Sequence, residues 1–340
     1  MLDTGDDTFM TAAAAEPARR GGVTRRGMKR AFVFPGQGSQ AVGMGRELAR
    51  AFPAARLLFE EVDEALSQRL SLLMFEGPES ELTLTENAQP ALMAASLAAI
   101  RVIEAEGGFD LAQKIAFVAG HSLGEYSALA AARAFSAGDA ARLLKRRGRA
   151  MQQAVPVGEG AMAALLGLDL EAGQKVAAAA AEGQVCAVAN DNAPGQITVS
   201  GHRAAVERAV AIAAQYGARR AILLPVSAPF HCPLMAPAAA VMAQALGEIA
   251  FAAPVIQLVA NVSAAALRDP GTLKRSLVEQ VTAMVRWREC VLFLCAAGVE
   301  EVVEIGAGRV LAGLARRIDP GLAARAVGTP AEIEALIEDL

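Results

Sequence analysis

Histidine is scarce in this chain: three in 340 residues, His121, His202 and His231, with no two at metal-ligand spacing. The four cysteines, Cys186, Cys232, Cys290 and Cys295, form no C-x-x-C pair, which excludes a structural zinc site. Scattered thiols without a secretory signal belong to a reducing, cytoplasmic setting. Aromatic residues are only 4% although 54% of the chain is hydrophobic, so the apolar content is mostly Ala, with Leu and Val. Apolar runs such as Ala91–Ile100, broken by Ser96, fall short of the ~18 residues that span a bilayer, so no membrane is expected. A charge excess is missing too: 32 basic against 36 acidic residues, net −4. That balance gives no footprint for nucleic acid.

What is present is a chain long enough for two domains, or one large domain with an insertion, at ~150 residues each. Residues 1–27 begin with Asp3, Asp6 and Asp7, pass through Ala12–Ala15 and end Arg- and Gly-rich. They lack an apolar core for a signal peptide, and their acids argue against a transit peptide, so they read as a disordered tail. From Lys29 onward short apolar segments alternate with helical patterns. Ala31–Phe34 and Lys114–Ala119 read as strands. Arg46–Phe52, Ala54–Leu66, Gln89–Ala105 with Pro90 near its first turn, and Glu125–Ala134 read as helices. Strands that each feed a helix imply an α/β class with a mostly parallel sheet.

The middle changes rhythm. Ala161–Leu168, Glu171–Glu182, Val185–Ala189, Gln196–Ser200, Arg203–Tyr216 and Arg220–Val226 give the order β-α-β-β-α-β, the ferredoxin-like split unit. Residues 157–225 are therefore expected to form a small subdomain inserted into a large α/β-hydrolase-like domain made of 28–156 and 226–340. Val255–Ala260 and Glu301–Ile305 are expected to return to the main sheet.

Gly120-His121-Ser122-Leu123-Gly124 fits G-x-S-x-G between a strand and a helix, the setting of a nucleophile elbow. The glycines permit a sharp turn that exposes Ser122, and the helix N-terminus favours a developing oxyanion. A Ser nucleophile needs a base. His121 adjoins the elbow, where its ring should project elsewhere, and His202 opens a helix as a surface or capping residue. His231, in the loop Val226–Pro233 where the chain re-enters the large domain, is the best base available. Cys232 carries no mark of activation.

Arg147 shares the apolar face of the helical segment Asp139–Gln153 with Ala140, Leu143, Leu144 and Met151, while Lys145, Arg146 and Arg149 point elsewhere. An inward guanidinium is costly unless paired. Either a protein carboxylate satisfies it or it binds a substrate carboxylate bidentately. Gly36-x-Gly38 and Gly306-x-Gly308 are followed by Gly43 and Gly313, which is not the dinucleotide fingerprint, and a phosphate loop is absent. The first of these loops instead brings the Gln37 N–H toward the elbow as an oxyanion donor.

Together these residues resemble the malonyl-CoA:acyl carrier protein transacylase family from about Met28 to the C-terminus. The motifs in order are FPGQGSQ at Phe34–Gln40, QPAL at Gln89–Leu92, GHSLGEYSAL at Gly120–Leu129 and RRGRAMQQAVP around Arg147. NDNAPGQITVSG at Asn190–Gly201, HCPLM at His231–Met235 and IGAGRVLAGL at Ile305–Leu314 complete the set. The resemblance implies an acylated Ser122, His231 as general base, the Gln37 and Leu123 N–H groups as oxyanion hole, and Arg147 on the malonyl carboxylate. It also implies a main-chain carbonyl that orients the His, supplied by the residue before the Trp, here Arg286 before Trp287. The implied partners are malonyl-CoA and an acidic acyl carrier protein, which Arg142, Lys145, Arg146 and Arg149 could help dock. No cofactor or metal is implied, and a monomer is expected. An esterase or thioesterase on the same elbow, an acyltransferase of a polyketide pathway, and a non-catalytic carrier-binding module are the competing readings.

Overall fold

In a computed structural model the described residues are 27–340. Apart from Gly27, the tail expected over 1–27 lies outside them. Ten strands run in chain order: β1 Arg30–Phe34, β2 Phe117–Gly120, β3 Gly160–Leu166, β4 Cys186–Ala193 and β5 Gln196–His202. They continue with β6 Arg220–Leu223, β7 Gln257–Ala260, β8 Ala265–Leu267, β9 Glu301–Ile305 and β10 Ala323–Val327. Six of them form one sheet in the order β10-β9-β1-β2-β7-β8. Every pair in it is parallel except β7 with β8.

The central strand shows why. In β1, Ala31 and Val33 pack into one apolar cluster and Phe32 and Phe34 into the other. A strand buried on both faces reads as a continuous apolar run, the mark of a parallel sheet covered by helices. The principal cover is the helix Thr85–Gly107, buried on nearly every side. From β1 the chain crosses to β2 on one side, whereas β9 leads to β10 on the other. The carboxyl ends of β1 and β2 meet where Phe34 pairs with Gly120.

The second sheet is antiparallel, ordered β4-β5-β3-β6, and carries the βαββαβ chain order. The helices Leu170–Ala181 and Arg203–Ile212 close its own core of Ala163, Leu165, Val176, Val199 and Val206. Its β4 edge is fixed to the large sheet's side of the molecule. Asn190 bridges Val285, the Asp191 N–H donates to the Val285 carbonyl at 3.0 Å, and Arg288 pairs with Asp191 at 2.8 Å. No helix among the described residues is long and apolar enough to cross a membrane.

Several boundaries differ from expectation for local reasons. The strand expected from Lys114 starts at Phe117, because Asp110 caps a 3-10 turn at Leu111–Gln113. The helix expected from Gln89 begins at Thr85, with the Asn87 and Ala88 N–H groups on the Leu84 carbonyl, so Pro90 lies inside it. Arg203–Tyr216 tightens to 3-10 at Ala213. The edge strands β8 and β10, half-buried and short, carry no clear alternation in sequence.

The turn after β2 is made by two close approaches. A Cβ on Gly120 would lie 1.9 Å from the Gly124 carbonyl carbon, and one on Gly124 would lie 2.3 Å from the Phe34 oxygen. Only backbone fits between strand and helix here. Gly124→Ala is expected to destabilise the fold by about 1–3 kcal/mol through overpacking. Gly313→Ala, on an exposed helical position with nothing within 4 Å, is expected to be neutral or stabilising by up to about 1 kcal/mol. Chemical denaturation of both variants checks the contrast.

Candidate active site

The tight turn leaves Ser122 with φ 53°, a left-handed backbone that a non-glycine residue adopts only when its surroundings enforce it. Both sides of the serine are gripped. The Ser122 N–H donates to Asn261 Oδ1 at 2.8 Å, while its carbonyl accepts from Gln280 Nε2 at 2.9 Å. Asn261 follows β7 and also donates through Nδ2 to the Gly120 carbonyl at 2.8 Å. The elbow is thus held by side chains from two distant segments.

His231 shares the same backbone peculiarity, with φ 58°. Its Nε2 lies 2.8 Å from Ser122 Oγ, and its Nδ1 lies 2.8 Å from the Gln280 carbonyl. A carbonyl only accepts, so Nδ1 carries the proton and Nε2 is free to accept one from the serine. Burial, then the nearby Arg147 cation, push the His231 pKa down to about 3. The neutral imidazole that a base requires is the form the site favours.

Arg147 comes from the helix Ala137–Gln153, which Ser136 caps through the Asp139 N–H. Beside it, Gly148 leaves so little room that a Cβ would lie 2.5 Å from the Glu86 backbone. That close packing brings Arg147 against the helix Thr85–Gly107. Arg147 is 1% exposed. Nη1 donates to Gln89 Oε1 at 2.8 Å, and Nη2 donates to Gln280 Oε1 at 2.9 Å and to Ser122 Oγ at 3.1 Å. Among the described residues no carboxylate hydrogen-bonds it. The protein-carboxylate alternative for Arg147 is not realised in this geometry.

These groups open on a cavity of about 410 Å³ whose lining includes Gln37, Leu123, Asn190, Asn192 and Phe230. Neither the Gln37 nor the Leu123 N–H donates to another protein group among the described residues, so both are free donors. Gln37 is fixed through its side chain, with Thr85 Oγ1 donating to its Oε1 at 2.8 Å. His121 turns away from the serine, as expected, but its ring still reaches the cavity wall, 2.9 Å from Asn192 Oδ1 and 5.7 Å from the Trp287 ring. His202 sits at the start of its helix without capping it; its Nδ1 accepts the Val185 N–H at 2.9 Å.

The acyl transferase domain family matches residues 31–321. A malonyl CoA-acyl carrier protein transacylase of Salmonella typhimurium is 46% identical over 90% of this chain and 98% of its own. The chain belongs to the malonyl-CoA:acyl carrier protein transacylase family. Among solved structures of similar proteins, an acyl-carrier-protein-S-malonyltransferase from Bartonella henselae is 56% identical, with TM-score 0.90 over 92% of this chain and 99% of that one. A malonyl-transacylase in complex with a type II PKS acyl-carrier protein is 43% identical, with TM-score 0.88 over 92% and 100%.

In this transacylase one expected position is corrected. Arg286 does not orient the histidine; its N–H donates to the Asn261 carbonyl, and its side chain pairs with Glu289. The carbonyl comes from Gln280, at the end of the helix Pro270–Gln280. Assignment by position before the Trp failed because only the tertiary fold brings that helix end to His231. The basic cluster is also more compensated than expected. Arg142 pairs with Asp139, Lys145 and Arg149 with Glu86, and Arg146 with Glu248.

Sequence reasoning missed Gln280, Asn261 and Glu125. Asn261 had the clearest signal, a polar residue directly after an apolar strand. Labelling of Ser122 by a fluorophosphonate is expected to keep its rate from neutral pH down to about pH 5, because His231 stays neutral there. A rate that falls with a midpoint near 6.5 would show an ordinary histidine.

Proposed function

We propose that this enzyme moves a malonyl group from malonyl-CoA to the phosphopantetheine thiol of an acyl carrier protein, through a malonyl ester on Ser122. The observation that carries the reading is the buried Arg147 guanidinium, 3.1 Å from Ser122 Oγ and met only by neutral oxygens. An acyl group with a carboxylate at its far end supplies the missing countercharge. A plain esterase or thioesterase has no use for that cation.

In the first half-reaction Ser122 Oγ attacks the thioester carbonyl as its proton passes to His231 Nε2. The oxyanion forms between the Gln37 and Leu123 N–H groups, close to the N-terminus of the helix Gly124–Ala131. Collapse breaks the C–S bond, and CoA leaves with the proton from His231. The carrier thiol then gives its proton to His231 and attacks the ester, and Ser122 is restored. Every step transfers a proton or an acyl group, so the scheme calls on no metal or redox cofactor.

The names of the relatives support the malonyl donor, and the complex with a carrier protein supports the acceptor. Ser122, His231, Arg147 and Gln280 all come from one chain, which fits a monomer. Free thiols at all four cysteines fit the reducing cytoplasm. The chain serves fatty-acid synthesis in this reading.

Mass spectrometry after mixing with malonyl-CoA is expected to show one malonyl group on the protein and none on Ser122→Ala. Steady CoA release without an adduct would favour a thioesterase. Arg147→Ala is expected to lose about 2–5 kcal/mol of malonyl-over-acetyl preference, the range for removing one partner of a buried charged contact. Unchanged preference would make Arg147 structural.

A further inference from the structure

Glu125 takes no part in the steps above, yet it lies fully buried directly behind the nucleophile. One carboxylate oxygen, Oε1, accepts the Asn261 N–H at 2.7 Å. The other, Oε2, accepts from Gln280 Nε2. The two residues it holds are the two that grip Ser122, from its N–H and from its carbonyl. Gln280 also reaches Arg147 through Oε1.

We propose that Glu125 is a positioning residue that sets the preference for malonyl by fixing which way the Gln280 amide faces, an inference that rests on the transacylase reading above. A primary amide has two ends, and its orientation is decided by its partners. With Nε2 toward Glu125 and the Ser122 carbonyl, Oε1 is left for Arg147. Reversed, the Gln280 NH2 would meet a guanidinium N–H and its oxygen would meet the Ser122 carbonyl. Donor would face donor and acceptor would face acceptor around a fully buried amide. Arg147 would then lose an acceptor and its place beside Ser122.

Glu125→Gln removes the acceptor that holds Gln280 Nε2 in its native orientation. The Asn261 N–H demands an oxygen at the Oε1 position, so the new NH2 must occupy the Oε2 position and face Gln280 Nε2. His231 is spared, because it is held by the Gln280 main-chain carbonyl, which a turn of the amide does not move. The variant therefore weighs on the two functions unequally: the Ser122–His231 pair keeps its main-chain support, and recognition of the distal carboxylate fails.

The experiment compares malonyl-CoA and acetyl-CoA as donors for wild type, Glu125→Gln and Gln280→Leu, with a thermal melt of each. Glu125→Gln is expected to lose malonyl-over-acetyl preference by about tenfold or more, equivalent to about 1.4 kcal/mol, through a raised KM for malonyl-CoA with acetyl transfer retained. A folded variant with wild-type preference overturns the proposal, as does an equal fall with both donors, which marks a merely structural role. Gln280→Leu removes the amide and keeps the carbonyl, so it carries the test alone if Glu125→Gln does not fold. It must lose the same preference, and retention of the preference overturns the proposal. Failure of wild type to take up malonyl would instead overturn the transacylase reading, and this inference with it.

Discussion

A guanidinium buried without a carboxylate partner is the constraint around which the site is arranged. Burial alone pushes the Arg147 pKa down from its ordinary value, and desolvating a cation costs several kcal/mol unless hydrogen bonds offset it. Gln89, Gln280 and the Ser122 hydroxyl are the neutral acceptors that keep it in place. Each is delivered by a different element: two helices and the elbow. Their packing explains features that look unrelated in sequence, such as Gly148 at the crossing of helices and the buried polar Thr85 and Gln89 in the helix Thr85–Gly107.

The same cation helps the chemistry beside it. After burial, it is the next cause that keeps His231 unprotonated, so one charge both attracts a carboxylate and helps keep the base ready. Among the described residues six non-glycines have positive φ, and Ser122 and His231 are two of them. Strain of this kind persists only where neighbours over-determine the backbone. Here the neighbours are the Gly120–Gly124 crossing and the Asn261 and Gln280 side chains. Burial raises the Glu125 carboxyl well above the usual carboxylate range, and the Asn261 N–H, the Gln280 amide and the Arg147 charge offset only part of that rise. A buried network that partners the N–H, the carbonyl and the hydroxyl of the serine is what a preorganised site requires.

Most of the fold was legible because its signals are local. Apolar runs marked β1 and β9, and the period of Asp139–Gln153 placed Arg147 inward without any structure. The G-x-S-x-G turn named Ser122, and the shortage of histidine left His231 as its partner. Edge strands β8 and β10 were not legible, since half-buried pairs at a sheet edge need no strict alternation. The inner ring of the site was the least legible. Gln280 acts partly through its main chain, which carries no residue signature, and Arg286 was misplaced for that reason. Glu125 reads in sequence as an ordinary acid in the first turn of a helix. Its burial appears only when the segments 257–261 and 270–280 close over it.

The most direct test of this account is a structure of the protein trapped after reaction with malonyl-CoA alone. The account predicts an ester on Ser122 Oγ whose distal carboxylate accepts hydrogen bonds from the Arg147 guanidinium. The ester oxygen should lie between the Gln37 and Leu123 N–H groups. A malonyl ester with its carboxylate turned to solvent, and Arg147 left on Gln89 and Gln280 alone, would contradict it.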